Sequence, residues 1–276
     1  MTELNLDKLL DVAVSAAQQA GRLLLSYRGK VKGEAKGPGD VVTRADLESQ
    51  ALIRNQLLSA FPEHNFLGEE GPPDPQPEGT ENRVLWLVDP LDGTANFLHG
   101  LDLFAVSIAA VLDHIPIVGV IHAPALHETY VAARGRGAQL NGASIRVSTV
   151  ARLEDALLVT GFPPRPKRRP ELLELYGQFC ERSHAVRRLG SAALDLAYVA
   201  AGRFDGFYAV HLHAWDCAAG VLLVEEAGGK VTQLDGSPFD LFKPSLLATN
   251  GKIHSDMVRV AAQVLGFAPH LSSDQT

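Results

Sequence analysis

The chain is poor in cysteine. Among 276 residues it has two, Cys180 and Cys217. They lie far apart with no CxxC spacing, which excludes a disulfide framework and a zinc ribbon. A reduced, cytoplasmic compartment is the expectation. Basic charge is also short. Lys and Arg total 25 against 32 Asp and Glu, for a formal net charge of −7 and a pI near 5.8. A general nucleic-acid binder needs a basic stripe to neutralise phosphates, so no nucleic-acid partner is expected. An anionic substrate would need local cations, from Lys, Arg or a metal. No apolar run reaches the roughly 18 residues that span a bilayer. Residues 1–10 lack the basic start and apolar run of a secretion signal. No membrane attachment is expected.

What remains is an ordinary globular composition, 46% hydrophobic and 21% charged. The length suits one large domain or two closely fused ones, with a core that needs no staples. Apolar spacing predicts a helix over 6–27, a Gly/Lys-rich loop over 29–39 and a second helix over 43–60, stopped by Pro62. Residues 71–80, with four prolines, read as an exposed, mobile loop. Strands are predicted at 84–88, 104–112 and 115–121, the last two joined by a tight turn at Asp113-His114. Two more are expected at 129–133 and 144–147, with the hairpin signal Asn141-Gly142 between them. After about residue 149 strands and helices alternate. Strands are predicted at 156–160, 186–189, 207–210, 230–234 and 246–248. Helices are predicted at 171–183, 191–201, 216–227 (closed by Gly228-Gly229) and 256–264. The pattern is an α/β chain with an α+β front half. A boundary near 150 separates residues 1–149, a helix pair plus antiparallel sheet, from residues 150–276, the alternating α/β part.

Four segments carry chemistry. The densest is Trp86-Leu-Val-Asp89-Pro-Leu-Asp92-Gly-Thr94-Ala-Asn-Phe97. A buried strand delivers Asp89 at its C-terminal end, Pro90 stiffens the exit, and Asp92 follows three residues on. Two such acids at a buried strand end need a counter-charge, and hard oxygen ligands select Mg²⁺ or Mn²⁺. Gly93 allows close backbone approach, and the N–H groups of Gly93 and Thr94 at a helix start form an anion cradle. Gly68-Glu69-Glu70 offers Glu69 as a third ligand. His213-Ala-Trp215-Asp216-Cys-Ala-Ala-Gly220 places Asp216 at the start of a small-residue helix, where it reads as an N-cap aimed outward. In Asp40-Val-Val-Thr43-Arg-Ala-Asp46, Thr43 and Asp46 fit a capping box, or a Thr/Asp relay that orients a water.

In this order the four segments resemble the inositol monophosphatase family, whose pattern is GEE, then WxxDPxDGTxNF, then WDxAAG, with D-x-V-T-x-x-D upstream. The resemblance covers nearly the whole chain. It implies a layered α-β-α-β-α sandwich of the inositol monophosphatase/fructose-1,6-bisphosphatase type, usually a homodimer, and Mg²⁺-dependent hydrolysis of a small phosphate monoester. By the family pattern, Glu69, Asp89 and the carbonyl of Leu91 hold one Mg²⁺, and Asp89, Asp92 and Asp216 a second. A third, weaker ion leans on Glu69, and Mn²⁺ can substitute. Thr94 and Asp46, helped by Glu69, polarise the attacking water, and the N–H groups of Gly93 and Thr94 bind phosphate. Gly190, Ser191 and Ala192 border the alcohol part of the substrate, which Asp92 also faces. The family transfers phosphate to water without a Ser or Cys nucleophile, and none is recognisable here. Lithium inhibition is a family trait. Inositol-1-phosphate leads the substrates. Fructose-1,6-bisphosphate, histidinol phosphate, NADP and 3′-phosphoadenosine 5′-phosphate are those of relatives, some of which act instead as regulatory binding proteins in RNA metabolism.

One position departs from the pattern. The inositol-specific members carry a Glu seven residues before the WD aspartate, and here that position is Ala209. Lys36 falls where the family has a lysine near the metal and phosphate. The basic run 165–169 reads as a solvated loop, with electrostatic steering of an anionic substrate or a patch for a nucleic-acid partner as alternatives. His211 and His213 read as structural, since Mg²⁺ prefers oxygen.

Overall fold

The structure, a computed structural model, describes residues 4–37, 40–71, 83–162, 169–243 and 245–271. The predicted loop over 71–80, apart from Gly71, and most of the basic run 165–169 lie outside the described residues, as do the side chains of Lys36 and Asp40.

Helix α1 (Leu6–Tyr27) starts where predicted. Asn5 caps it by accepting from the Lys8 N–H at 3.0 Å, and Leu9, Ala13, Ala16, Ala17, Ala20 and Leu24 form its buried face. Strands β1 (Glu34–Gly37) and β2 (Asp40–Val42) then pair as a short ribbon. The sequence reading had a loop here, because a Gly/Lys-rich ribbon shows no apolar alternation. Helix α2 (Arg44–Ala60) begins with a capping box of Thr43 and Asp46.

The larger sheet has seven strands in sequence order. They are β3 (Asn65–Gly68), β4 (Leu85–Asp92), β5 (Ala105–Leu112), β6 (Ile115–Ala123), β7 (Glu128–Ala133), β8 (Ala138–Leu140) and β9 (Ala143–Ile145). The pair β3–β4 is parallel and the rest antiparallel. Asp113 and His114 both take positive φ, 50° and 65°, as a two-residue hairpin turn with right-handed twist requires. Asn141-Gly142 joins β8 to β9. The strand β8 was missed in the sequence because it is only three residues long.

The smaller sheet runs β11-β10-β12-β14-β13. Its strands are β10 (Leu157–Thr160), β11 (Ala185–Arg187), β12 (Gly206–Val210), β13 (Lys230–Thr232) and β14 (Ser245–Thr249). Between them come helices α4 (Pro170–Arg182), α5 (Ala192–Ala200) and α6 (Ala214–Glu226), with α7 (His254–Leu265) last. A short helix α3 (Thr94–Leu98) follows β4.

Strand alternation builds the layers. In β5, Val106, Ile108 and Ala110 join the core under α1 and α2, whereas Ala105, Ala109 and Val111 join the core formed with α5 and α6. In the smaller sheet Val159, Phe207 and Ala248 face that same middle layer, and Leu158, Tyr208 and Leu247 face α4 and α7. The result is five layers, helix, sheet, helix, sheet, helix, as expected. In the middle layer the small residues Ala218, Ala219 and Gly220 let α6 approach β6 closely. At Gly119 of β6 a Cβ would stand 2.8 Å from the carbonyl oxygen of Ala219 in α6, so only glycine lets that helix lie so close.

Candidate active site

Strand β4 carries the site. Asp89 pairs with Ser107 and Asp92 with Ala105, so three steps on β4 oppose two on β5. The extra residue makes a bulge at Pro90-Leu91, where proline could not have donated to the ladder. The bulge turns the strand end so that its two acids project into one cavity of about 250 Å³. Asp89 is 2% exposed, and its Oδ1 accepts from the Leu91 N–H at 3.0 Å. The Pro90 carbonyl is held by the buried Ser49 hydroxyl at 2.9 Å. Gly93 takes φ 91°, and a Cβ there would sit 2.9 Å from the Leu103 carbonyl.

Strand β3 lies parallel to β4, so both C-terminal ends open on the same edge. Glu69 follows β3 and lines the cavity beside Asp89. Gln50 sets this turn by bracing the Glu70 backbone: its Oε1 accepts from the Glu70 N–H at 2.9 Å and its Nε2 donates to the Glu70 carbonyl.

Asp216 comes from the other half of the chain. Helix α6 starts two residues before the predicted point, so Asp216 is its third residue and not its N-cap. Its Oδ2 accepts from the His213 N–H at 2.8 Å. The sequence reading placed the start late because Ala214 and Trp215 give no capping signal. His213 stacks on Trp215 with ring centroids 4.7 Å apart. His211, at φ 62°, lines the cavity.

Asp92 is gripped by the start of α5. Its Oδ2 accepts from the Ser191 hydroxyl and, at 2.8 Å, from the Ala193 N–H, and its Oδ1 accepts from the Ala192 N–H at 3.3 Å. Ser191 also caps α5. Asn96 ties the same two segments together, donating to the carbonyls of Leu103 at 2.7 Å and Leu189 at 2.8 Å.

The relay residues are also joined. Asp46 is 1% exposed, and its Oδ2 accepts from the Thr43 N–H at 2.8 Å and the Thr43 hydroxyl at 2.6 Å. The Thr94 hydroxyl lies 3.2 Å from Asp46 Oδ1 and 3.0 Å from the Leu91 carbonyl, with one proton to give to either. Burial pushes the Asp46 carboxyl up, and the hydrogen bonds from Thr43 and Thr94 pull it back.

The electrostatics show what the acids lack. Burial drives Asp89 well above the usual carboxylate range, and repulsion from Glu69, Asp92 and Asp216 adds to it. Burial also raises Asp92, to about 6, against the hydrogen bonds from Ser191, Ala193 and Ala192. No cation among the described residues offsets the Asp89 charge. As placed, no three His, Cys, Asp or Glu side chains among the described residues stand close enough to grip an ion together; Asp92 and Asp216 are spent on backbone and hydroxyl donors. Four mutually repelling carboxylates around one cavity nonetheless make a donor set for a hard divalent cation and for no soft metal.

The structure thus brings Asp46, Glu69, Asp89, Leu91, Asp92, Gly93, Thr94, Gly190, Ser191, Ala192 and Asp216 to one region, all but Asp46 lining the cavity directly. Ala209 does not line it and packs in the middle core. Four polar residues went unremarked in the sequence: Ser49, Gln50, Arg188 and Asp195. Arg188 and Asp195 line the cavity. Asp195 did carry a signal, as the one acid in the otherwise apolar helix Ala192–Ala200. Gln50 carried none, since a polar residue on an amphipathic helix looks like a solvated one.

The chain matches the model of the inositol monophosphatase family over residues 5–265. It is 45% identical over 262 residues to an inositol-1-monophosphatase of Mesorhizobium japonicum, covering 93% of this chain and 97% of that protein. It is 41% identical over 254 residues to the Nus factor SuhB of Escherichia coli, covering 91% and 94%. Among solved structures, the Thermotoga maritima IMPase superposes with a TM-score of 0.85 at 38% identity, covering 93% of this chain and 98% of the other.

Proposed function

The chain belongs to the inositol monophosphatase family, whose members hydrolyse phosphate monoesters, and on that footing we propose that it is a Mg²⁺-dependent hydrolase of a small phosphate monoester, with inositol-1-phosphate first among its substrates. The observation that carries this is the gathering of Glu69, Asp89, Asp92 and Asp216 around one cavity beside Gly93 and Thr94. In this reading Glu69, Asp89 and the Leu91 carbonyl hold one cation. Asp89, Asp92 and Asp216 hold a second, and Glu69 helps hold a third; Mn²⁺ can replace Mg²⁺. When bound, the cations neutralise phosphate oxygens, acidify water and favour departure of the alkoxide.

The protein's own groups do the rest. Asp46, fixed by two hydrogen bonds from Thr43, accepts the Thr94 O–H hydrogen bond. The Thr94 oxygen is thereby turned as an acceptor toward a water, and as that water attacks, its proton passes to Thr94 while the Thr94 proton passes to Asp46. The Gly93 and Thr94 N–H groups receive phosphate oxygens. Gly190, Ser191 and Ala192 border the alcohol. Asp92, held by the start of α5, lies between the phosphate and the alcohol. No covalent intermediate is needed for an in-line displacement by water. We place this activity in the cytoplasm, in a homodimer; no helix among the described residues is long and apolar enough to cross a membrane.

The test is phosphate release from inositol-1-phosphate, fructose-1,6-bisphosphate, histidinol phosphate, NADP and 3′-phosphoadenosine 5′-phosphate, with Mg²⁺ and with EDTA. Mg²⁺-dependent release, fastest from inositol-1-phosphate, is expected. No release from any of them by folded protein would refute the proposal. The relative named Nus factor SuhB favours a second reading, a regulatory binding role in RNA metabolism. Such a role would survive Asp89→Asn, which the hydrolase would not.

A further inference from the structure

Beside the carboxylates that face the phosphate, three polar side chains of the cavity have no assigned work, His211, Arg188 and Asp195, and the last two are close enough for their charges to interact. Asp195 lines it from α5 yet is 1% exposed, and its Oδ1 is buried without any hydrogen-bond partner. A sealed acceptor left unmade costs stability. Its neighbours in α5 are apolar and buried, so nothing in the helix explains an acid there. Arg188 lines the same cavity from the loop between β11 and Gly190, exposed at the mouth. Among the described residues it has no hydrogen-bond or ion-pair partner, and its charge reaches Asp195. The strand β12 side contributes Val210, His211 and Leu212, and the β10 side Gly161 and Phe162; of these only His211 carries a polar side chain.

We propose that Asp195 and Arg188 form a hydroxyl-recognition pair that selects a neutral polyol as the alcohol part of the substrate. The proposal rests on the phosphatase reading and adds what the site prefers. An alcohol O–H is both donor and acceptor. It donates to the Asp195 carboxyl group and accepts from the Arg188 guanidinium, satisfying two groups that the fold leaves open. Asp195 adjoins Asp92, so the pair lies on the alcohol side of the site, next to the start of α5. An aryl group would leave the buried acceptor unpaired, and a site built to hydrogen-bond a hydroxyl rejects a ligand without one.

The experiment compares inositol-1-phosphate with phenyl phosphate, which has no hydroxyl on its alcohol part, in the unsubstituted protein, Asp195→Ala and Arg188→Ala. Both substitutions are expected to raise KM for inositol-1-phosphate roughly tenfold or more, while KM and kcat for phenyl phosphate stay unchanged. Arg188 is exposed, so its variant keeps the fold even if the buried Asp195→Ala does not. Equal losses on both esters would show that the residues merely support the carboxylate cluster. No change on either would show that they do nothing for the substrate. Either result overturns the pair. If the unsubstituted protein hydrolyses neither ester, the phosphatase reading itself fails. Calorimetric binding of the same two esters then decides the pair by the same selectivity.

Discussion

Asp89→Asn should stabilise the protein without metal and destroy its work with metal. Asp89 is buried, faces three other acids and meets no offsetting cation. Its folded pKa therefore lies well above the unfolded value of about 3.9. A carboxylate with a raised pKa holds its proton longer in the folded state. The folded protein then binds more protons than the unfolded one, and stability falls as pH rises through the window from about 4 to the folded pKa. Each unit costs about 1.4 kcal/mol, so at pH 7 the penalty is bounded near about 4 kcal/mol. Asparagine keeps the shape and the acceptor for the Leu91 N–H but carries no charge. In EDTA at neutral pH it should gain about 1–3 kcal/mol, read as a rise in Tm of about 2–10 °C for a chain this size. The gain should shrink toward pH 4 and vanish by about pH 3, where Asp89 is protonated in both states. In saturating Mg²⁺ the order should reverse, because the unsubstituted protein gains binding free energy that the variant lacks, and phosphate release should fall by orders of magnitude. Melting curves in EDTA and Mg²⁺ at several pH values are the assay. A variant less stable than its parent in EDTA at pH 7, or one that keeps the full Mg²⁺ shift, would refute the reasoning.

Further outcomes follow from single residues. Thr94→Ala removes the hydroxyl between Asp46 and Leu91 and should lower kcat about 10²- to 10⁴-fold with little change in KM, measured by steady-state phosphate release. Gly93→Ala places a Cβ 2.9 Å from the Leu103 carbonyl at φ 91° and should cost about 1–3 kcal/mol by denaturant melt. Ser191→Ala strips both the α5 cap and a donor to Asp92, costing about 1 kcal/mol and raising the Mg²⁺ concentration needed for half-maximal activity. His254 is buried between Thr232 and Thr249 and pushed down to about 4, by burial first. Its folded pKa is below the unfolded one, so it contributes stability above about pH 6.5 that is lost as pH falls toward 4, up to about 3 kcal/mol. His254→Gln should flatten that part of the pH–stability curve.

The elements with strong periodicity were legible from the chain. Helix α1 is correct at both ends because its apolar spacing and cap agree. The short pieces β1, β2 and β8 were not, since exposed or three-residue strands bury no face that periodicity could report. The segments around Glu69, Asp89, Asp92 and Asp216 stood out as motifs, because acids at the ends of apolar runs are conspicuous against their neighbours.

The sequence by itself determined the kinds of chemistry available: hard oxygen donors, a Thr/Asp pair, glycines where backbone must approach closely, and no cysteine framework. It also carried the spacing that identifies the family. Only the tertiary structure decided which groups meet. The bulge at Pro90-Leu91 turns Asp89 and Asp92 to one side, the parallel pairing of β3 with β4 brings Glu69 to the same edge, and α6 delivers Asp216 from more than a hundred residues away. Seating α5 on Asp92 then places Asp195 and Arg188 beside the same cavity. Local sequence sets what each element is, but contacts between distant elements depend on how the layers stack, and no periodicity within one segment encodes that.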